Sequence, residues 1–178
     1  RGSRLLARER ERMDLPMSAC PETLAGTVPR VPGTAIYLNS DPDRVPSGLL
    51  HCVKHFKVLH ERILFVHTDF LEVPYVTDAR RVSVEALGKG LFDVRVRFGF
   101  REEPDLPAAL RKHDAGLLAE DIATTWVVGR STIADGPGKL PSWRAHVYSA
   151  MARHAEDAGS WFRLPPNQIV ELGTRVLL

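Results

Sequence analysis

The hydrophobic positions fall in short blocks whose period changes along the chain. Thr34 to Leu38 is rich in strand formers and closes on Asn39-Ser40-Asp41-Pro42-Asp43, a cluster of turn residues. Pro46 suits the first turn of a helix, where a missing N–H costs nothing. Leu49, Leu50, Val53 and Phe56 then recur at helical spacing on one face. Ile63 to Val66 is apolar without alternation, as expected of a strand covered on both faces. Strand, crossover helix and strand together predict a parallel βαβ unit between Val31 and His67.

Downstream the period becomes two. Arg81–Leu87 and Leu91–Phe98 alternate, with Val82, Val84, Phe92, Val94, Val96 and Phe98 on one face and Asp93, Arg95 and Arg97 on the other. Gly88-Lys89-Gly90 between them supplies the positive φ of a hairpin turn. Asp105 as N-cap and Pro107 in the first turn open a helix that runs to about His113. Ala123 to Val128 reads as a strand ending in a Gly129-Arg130-Ser131-Thr132 loop. The longest helix is expected over Pro141–Ala158, with Trp143, Val147, Met151 and Ala158 on its apolar side and Gly159 closing it. Trp161-Phe162 is expected to pack against the core, and Gln168–Leu172 to form a last strand that continues past Gly173. The predicted fold class is α/β: a mixed sheet with a parallel βαβ core, an antiparallel hairpin and flanking helices. It occupies residues 31–178, after a basic segment (residues 1–12) and a linker (residues 13–30) carrying Pro16, Pro21, Gly26 and Pro29.

Composition narrows the function more than the fold. The chain has 178 residues, 44% hydrophobic and 26% charged, enough to bury a core without disulfides or metal. A net charge of +2 is too mild to imply nucleic acid. Cys20 and Cys52 make no disulfide framework and fit a reducing compartment. No apolar run approaches the ~20 residues that span a bilayer, and no signal-peptide pattern opens the sequence.

Candidate chemistry is sparse. His51 and His55 are four apart on one helix face, with His60 nearby, which is zinc-compatible spacing. Lys54, Lys57 and Arg62 crowd the same region and oppose a cation, so ordinary hydrogen-bonded histidines are expected and no metal site is assigned. Asp41 and Asp43 are paired carboxylates, but Pro42 and the turn context favour capping of the following helix. No nucleophile elbow, triad grouping or cofactor motif appears, so the reading is a non-enzymatic domain with no cofactor. In an open α/β sheet, ligands lie beyond the carboxyl ends of parallel strands. Those ends place Ser40, Asp41, Thr68, Gly129, Arg130 and Ser131 as candidate ligand-binding residues, the last three through loop N–H groups that cradle phosphate. Arg95 and Arg97 on the hairpin are further anion candidates, although such a face is also simply a solvated one.

VPGTAIYLNSDPD followed by LLH-x-x-KH-x-KVLHERI resembles the cytosolic C-terminal region of the Kup (KUP/HAK/KT) potassium uptake transporters. Phe98-Gly-Phe100 with Glu103-Pro104-Asp105, Gly129-Arg130, Phe162-Arg163-Leu164-Pro165-Pro166-Asn167 and Val170-Glu171-Leu172-Gly173 continue the match in the family's order, over roughly residues 28–176. The resemblance implies potassium uptake, coupled to protons, in a full-length inner-membrane protein whose transport domain is this chain's first partner. It places this domain in the cytoplasm and the basic segment beside the membrane, where each Lys or Arg near anionic lipid contributes about 1 kcal/mol; a solvated connector helix with i,i+4 Arg–Glu pairs is the alternative. It also implies a homodimer and, as in some bacterial members of the family, regulation by cyclic di-AMP; ATP is a further candidate ligand. Two alternatives stand beside this regulatory reading: a purely structural dimerisation module, and a universal-stress-type soluble nucleotide-binding domain.

Overall fold

The computed structural model describes residues 15–24, 28–114, 118, 124–132 and 158–175. A short 3-10 turn at Met17–Ala19 leads into α1 (Cys20–Leu24). Then follow β1 (Arg30–Leu38), α2 (Ser47–Phe56), β2 (Leu59–Leu71), α3 (Asp78–Arg81), β3 (Val82–Gly88), β4 (Leu91–Gly99), α4 (Leu106–His113), β5 (Thr124–Thr132), α5 (Ala158–Trp161) and β6 (Ile169–Arg175). One six-stranded sheet has the order β3-β4-β2-β1-β5-β6. All its pairings are parallel except the β3–β4 hairpin. This is the mixed α/β sheet that the change of hydrophobic period predicts.

Strand alternation divides the core between the two faces of the sheet. Ile36, Leu64, Val66, Val94, Val96 and Trp126 pack on one face beneath α4, with Leu106, Leu110 and Leu164. Ala35, Tyr37, Ile63, Phe65, Leu91 and Val127 pack on the other beneath α2 and α1, with Leu49, Cys20 and Leu24. Residues read as linker therefore contribute Met17, Cys20 and Leu24 to the core. Asp105 caps α4 as expected, its side chain accepting from the Ala108 N–H at 2.8 Å. Gly88, Lys89 and Gly90 all take positive φ in the hairpin turn. Gly90 is doubly constrained, since a Cβ there would stand 2.1 Å from the Glu61 carbonyl oxygen.

Several expectations are corrected. Asp41 and Asp43 do not cap α2, whose N-cap is Pro46 with no side-chain hydrogen bond. Asp41 closes its own turn instead, accepting from the Asp43 N–H at 3.1 Å. Phe56 ends α2 at 63% exposure rather than on the packed face, because the helix stops before another turn can cover it. Trp161 is 58% exposed, and of that aromatic pair Phe162 packs against the core. Arg81 ends a helical turn rather than opening β3. The last strand opens at Ile169, with Gln168 still in a 3-10 turn, and runs past Gly173 as expected. Gly129, Arg130 and Ser131 are not a loop: they continue β5, paired with Leu172, Gly173 and Thr174 of β6. Strand backbone sends successive N–H groups to opposite sides, so these residues cannot form a phosphate-cradling nest. The helix expected over 141–158 lies outside the described residues, except for its last position.

Candidate functional site

The site is a consequence of unequal strand lengths. β1 stops at Leu38, opposite Val66 of β2. The β2–β4 ladder continues to Leu71 and Gly99, and the β5–β6 ladder to Thr132 and Arg175. Residues 67–71 and 129–132 therefore run on past the end of β1, by about 16 and 13 Å at strand rise. Between them lies a notch of one missing strand, about 10 Å wide at ordinary strand spacing.

The loop leaving β1 forms the floor of the notch, and local hydrogen bonds fix it. The Asn39 N–H donates to the Val66 carbonyl at 2.9 Å. The Asn39 side chain donates to the Arg44 carbonyl at 2.7 Å and accepts from the Asp41 N–H at 3.2 Å. This is the behaviour that makes Asn and Asp turn residues. Between floor and wall lies a cavity of ≈ 230 Å³ lined by Asn39, Ser40, Pro42, His67, Thr68, Asp69 and Arg95.

Ser40 and Thr68 both line this cavity. Asp41 is not in the lining; it lies 3.5 Å from the Arg44 guanidinium at the surface. Gly129, Arg130 and Ser131 belong by backbone to the far wall of the notch, on β5. The strand-end rule points to His67 beside Thr68 but does not place it among the candidate ligand residues; it is 4% exposed. Its Nδ1 lies 3.1 Å from the Asn39 carbonyl oxygen, and its Nε2 lies 2.9 Å from Asp93 Oδ1, at ion-pair distance but out of hydrogen-bond alignment. A usable signal was present: His67 has the inward parity of Ile63 and Phe65. Arg95, an anion candidate from its strand face, is 41% exposed, and its Nε stands 3.9 Å from Asp69 Oδ2. Arg97 instead donates to the Arg80 carbonyl at 3.1 Å.

Near the ends of β2 and β4 one charged pair is closed on itself. Arg81 donates to both Glu102 oxygens, at 2.6 and 3.1 Å. Glu102 also accepts from the Gly99 and Val76 N–H groups, at 2.6 and 3.2 Å. The Arg81 hydrogen bonds hold the Glu102 carboxyl down to about 2. Elsewhere burial pushes the Cys20 thiol up to about 11 and raises Tyr37.

His51 and His55 stack at 5.9 Å between ring centroids, while His60 lies in β2, its pKa lowered by burial. Among the described residues, no three His, Cys, Asp or Glu side chains come together as a metal site. Also among the described residues, no helix is long and apolar enough to cross a membrane.

Residues 32–178 match the family described as K+ potassium transporter C-terminal domain. The chain is 39% identical over 179 residues to the probable potassium transport system protein Kup of Thiobacillus denitrificans, covering 99% of this chain and 29% of that protein. It is 44% identical over 158 residues to the Kup protein of Anaeromyxobacter dehalogenans, covering 85% of this chain and 24% of that protein. To Kup 1 of Dechloromonas aromatica it is 40% identical over 181 residues, covering all of this chain and 29% of the relative. It thus spans about a quarter of the length of these relatives, whose names are those of transport proteins rather than enzymes. No solved structure matches. This agreement along nearly the whole chain establishes that it belongs to the Kup potassium transporter family, as its C-terminal domain.

Proposed function

We propose that this chain is the cytosolic regulatory domain of an inner-membrane potassium transporter, a potassium/proton symporter in the full-length protein. On this reading the notch takes a phosphate group of an adenine nucleotide, either a cyclic dinucleotide such as cyclic di-AMP or ATP. The observation that carries it is the polar cavity at the carboxyl ends of β1 and β2, with the half-exposed Arg95 at its rim. A guanidinium with one loose partner retains donors for phosphate oxygens. The Ser40 and Thr68 hydroxyls add neutral donors beside it. At ≈ 230 Å³ the cavity suits a phosphate and its sugar, so the base of such a ligand lies along the outer notch. A ligand bound there touches both the β1 loop and the β2–β4 ribbon and biases their relative position, which is how a bound molecule shifts a conformational equilibrium.

The test is a thermal-shift titration with cyclic di-AMP, ATP and AMP. Ligand at about 100 Kd adds roughly 2.7 kcal/mol and raises the melting midpoint by several degrees. Arg95→Ala abolishes that shift. Unchanged midpoints with all three ligands overturn the nucleotide reading.

A second reading is assembly. β3 is an edge strand with Ser83, Val84, Glu85 and Ala86 exposed, and an open edge pairs readily with a symmetry mate. Light scattering separates the two: a dimeric mass without any ligand shift favours the assembly module.

A further inference from the structure

Neither the core nor the notch accounts for the tip of the β2–β4 ribbon. Phe70, Val73, Tyr75 and Phe100 stand there 51%, 43%, 64% and 62% exposed. They come from three segments: the end of β2, the strap over residues 72–77, and the turn after β4. The strap is locked in place. The Phe100 and Arg101 N–H groups donate to the Val73 and Pro74 carbonyls at 2.9 and 3.2 Å. Arg81 holds the Val76 carbonyl at 2.6 Å, and Glu102 holds the Val76 N–H. At Gly99 a Cβ would stand 2.4 Å from the Pro74 carbonyl oxygen, so only glycine lets the strap lie this close. The aromatic groups are therefore presented already ordered, and a partner pays little to fix them.

The route of the chain indicates what they face. The Met17 N–H donates to the Asp43 carbonyl, the Val45 N–H donates to the Leu15 carbonyl, and Pro16 bridges Arg44. Residues 15–17 are thus fastened beyond the carboxyl end of β1, the end of the sheet from which the ribbon tip projects. The family is a C-terminal domain and the chain spans 24–29% of its relatives, so the transport part precedes this point. Exposed aromatics flanked by both Glu72 and Asp78 and by Arg80 and Arg101 have the make-up of a protein interface rather than of an anionic lipid contact.

We propose that Phe70, Val73, Tyr75 and Phe100 dock this domain against the transport part of its own transporter. The proposal rests on the reading that the two parts form one protein, and not on nucleotide binding. The test replaces Tyr75 by photo-crosslinking benzoylphenylalanine in the full-length transporter in membranes, followed by irradiation and peptide mapping. Adducts with peptides of the transport part are expected. A Phe70→Ser/Phe100→Ser background lowers their yield about fivefold, while the 178-residue chain carrying those two changes keeps its melting midpoint. Adducts confined to the C-terminal domain of a second copy, adducts with lipid alone, or no adducts overturn the proposal. So does a yield that the serine changes leave unaltered. A transporter indifferent to nucleotide still gives this readout, so failure of the nucleotide reading is seen separately.

Discussion

Two arginine–carboxylate pairs stand toward the same end of the sheet and are built differently. Arg81 and Glu102 meet at 2.6 Å with side chains 16% and 13% exposed, and backbone groups from residues 76, 97 and 99 complete their hydrogen bonding. Arg95 and Asp69 approach only to 3.9 Å, with side chains 41% and 44% exposed. The first pair uses its hydrogen-bonding capacity inside the fold and holds three segments together. The second is a rim pair of the kind that adds little to stability. A closed charge pair is scaffold; an open one beside a cavity is where a charged ligand finds a partner.

Glu102→Gln is the sharpest way to break the contrast. It leaves the partly buried Arg81 guanidinium with only the exposed Asp78 carboxylate, 3.8 Å away, and costs roughly 2–3 kcal/mol, read as a fall of several degrees in a calorimetric melt. The same variant tests a pH dependence. The Arg81 hydrogen bonds hold the Glu102 carboxyl down to about 2, below its ordinary 4.5, so the pair's contribution is present above the ordinary carboxylate value. It is lost as pH falls from there toward 2. The variant's stability then declines less steeply over that acid range, and parallel acid profiles for the two proteins count against the pair. Gly99→Ala comes next. Its methyl group meets the Pro74 carbonyl, and displacing the strap costs about 1–3 kcal/mol, with the Phe100 and Arg101 amides losing protection from hydrogen exchange. Arg95→Ala has the smallest effect on folding, within about 0.5 kcal/mol, yet it removes the nucleotide shift. A large loss of stability from this change shows that the rim pair is scaffold as well.

The legibility of these regions follows how local their causes are. The hairpin was readable because period-two alternation and Gly88-Lys89-Gly90 lie within one stretch. Asp105 was readable because a cap acts within three residues. The overhang of β2 was not, since His67 and Asp69 interrupt the apolar run while the backbone stays extended along β4. The end of β5 was misread because Gly129 resembles a turn signal, whereas pairing with β6, some forty residues on, keeps it a strand. The Arg81–Glu102 pair had no sequence signal: the hairpin that brings these residues together must fold first. Of the candidate site, Ser40 and Thr68 were legible from the strand-end rule, and Arg95 from its strand face. The notch itself depends on where β1 stops relative to its neighbours, a property of the register of three strands and of no single segment.

The placing of β1 also bears on how the chain is made. Among the described residues the first strand synthesised is central, with β2 on one side and β5 on the other. By the time Gly99 has left the ribosome, β1, β2, β3 and β4 can all pair from contiguous chain. The other flank of β1, Thr34 to Tyr37, must wait for Thr124 to Val127. During that interval a half-built sheet presents an unsatisfied flank carrying Ile36 and Tyr37. Such long-range parallel pairing is slow and exposed to aggregation. Truncations that end between α4 and β5 leave that flank permanently bare, and insoluble protein is the expected product.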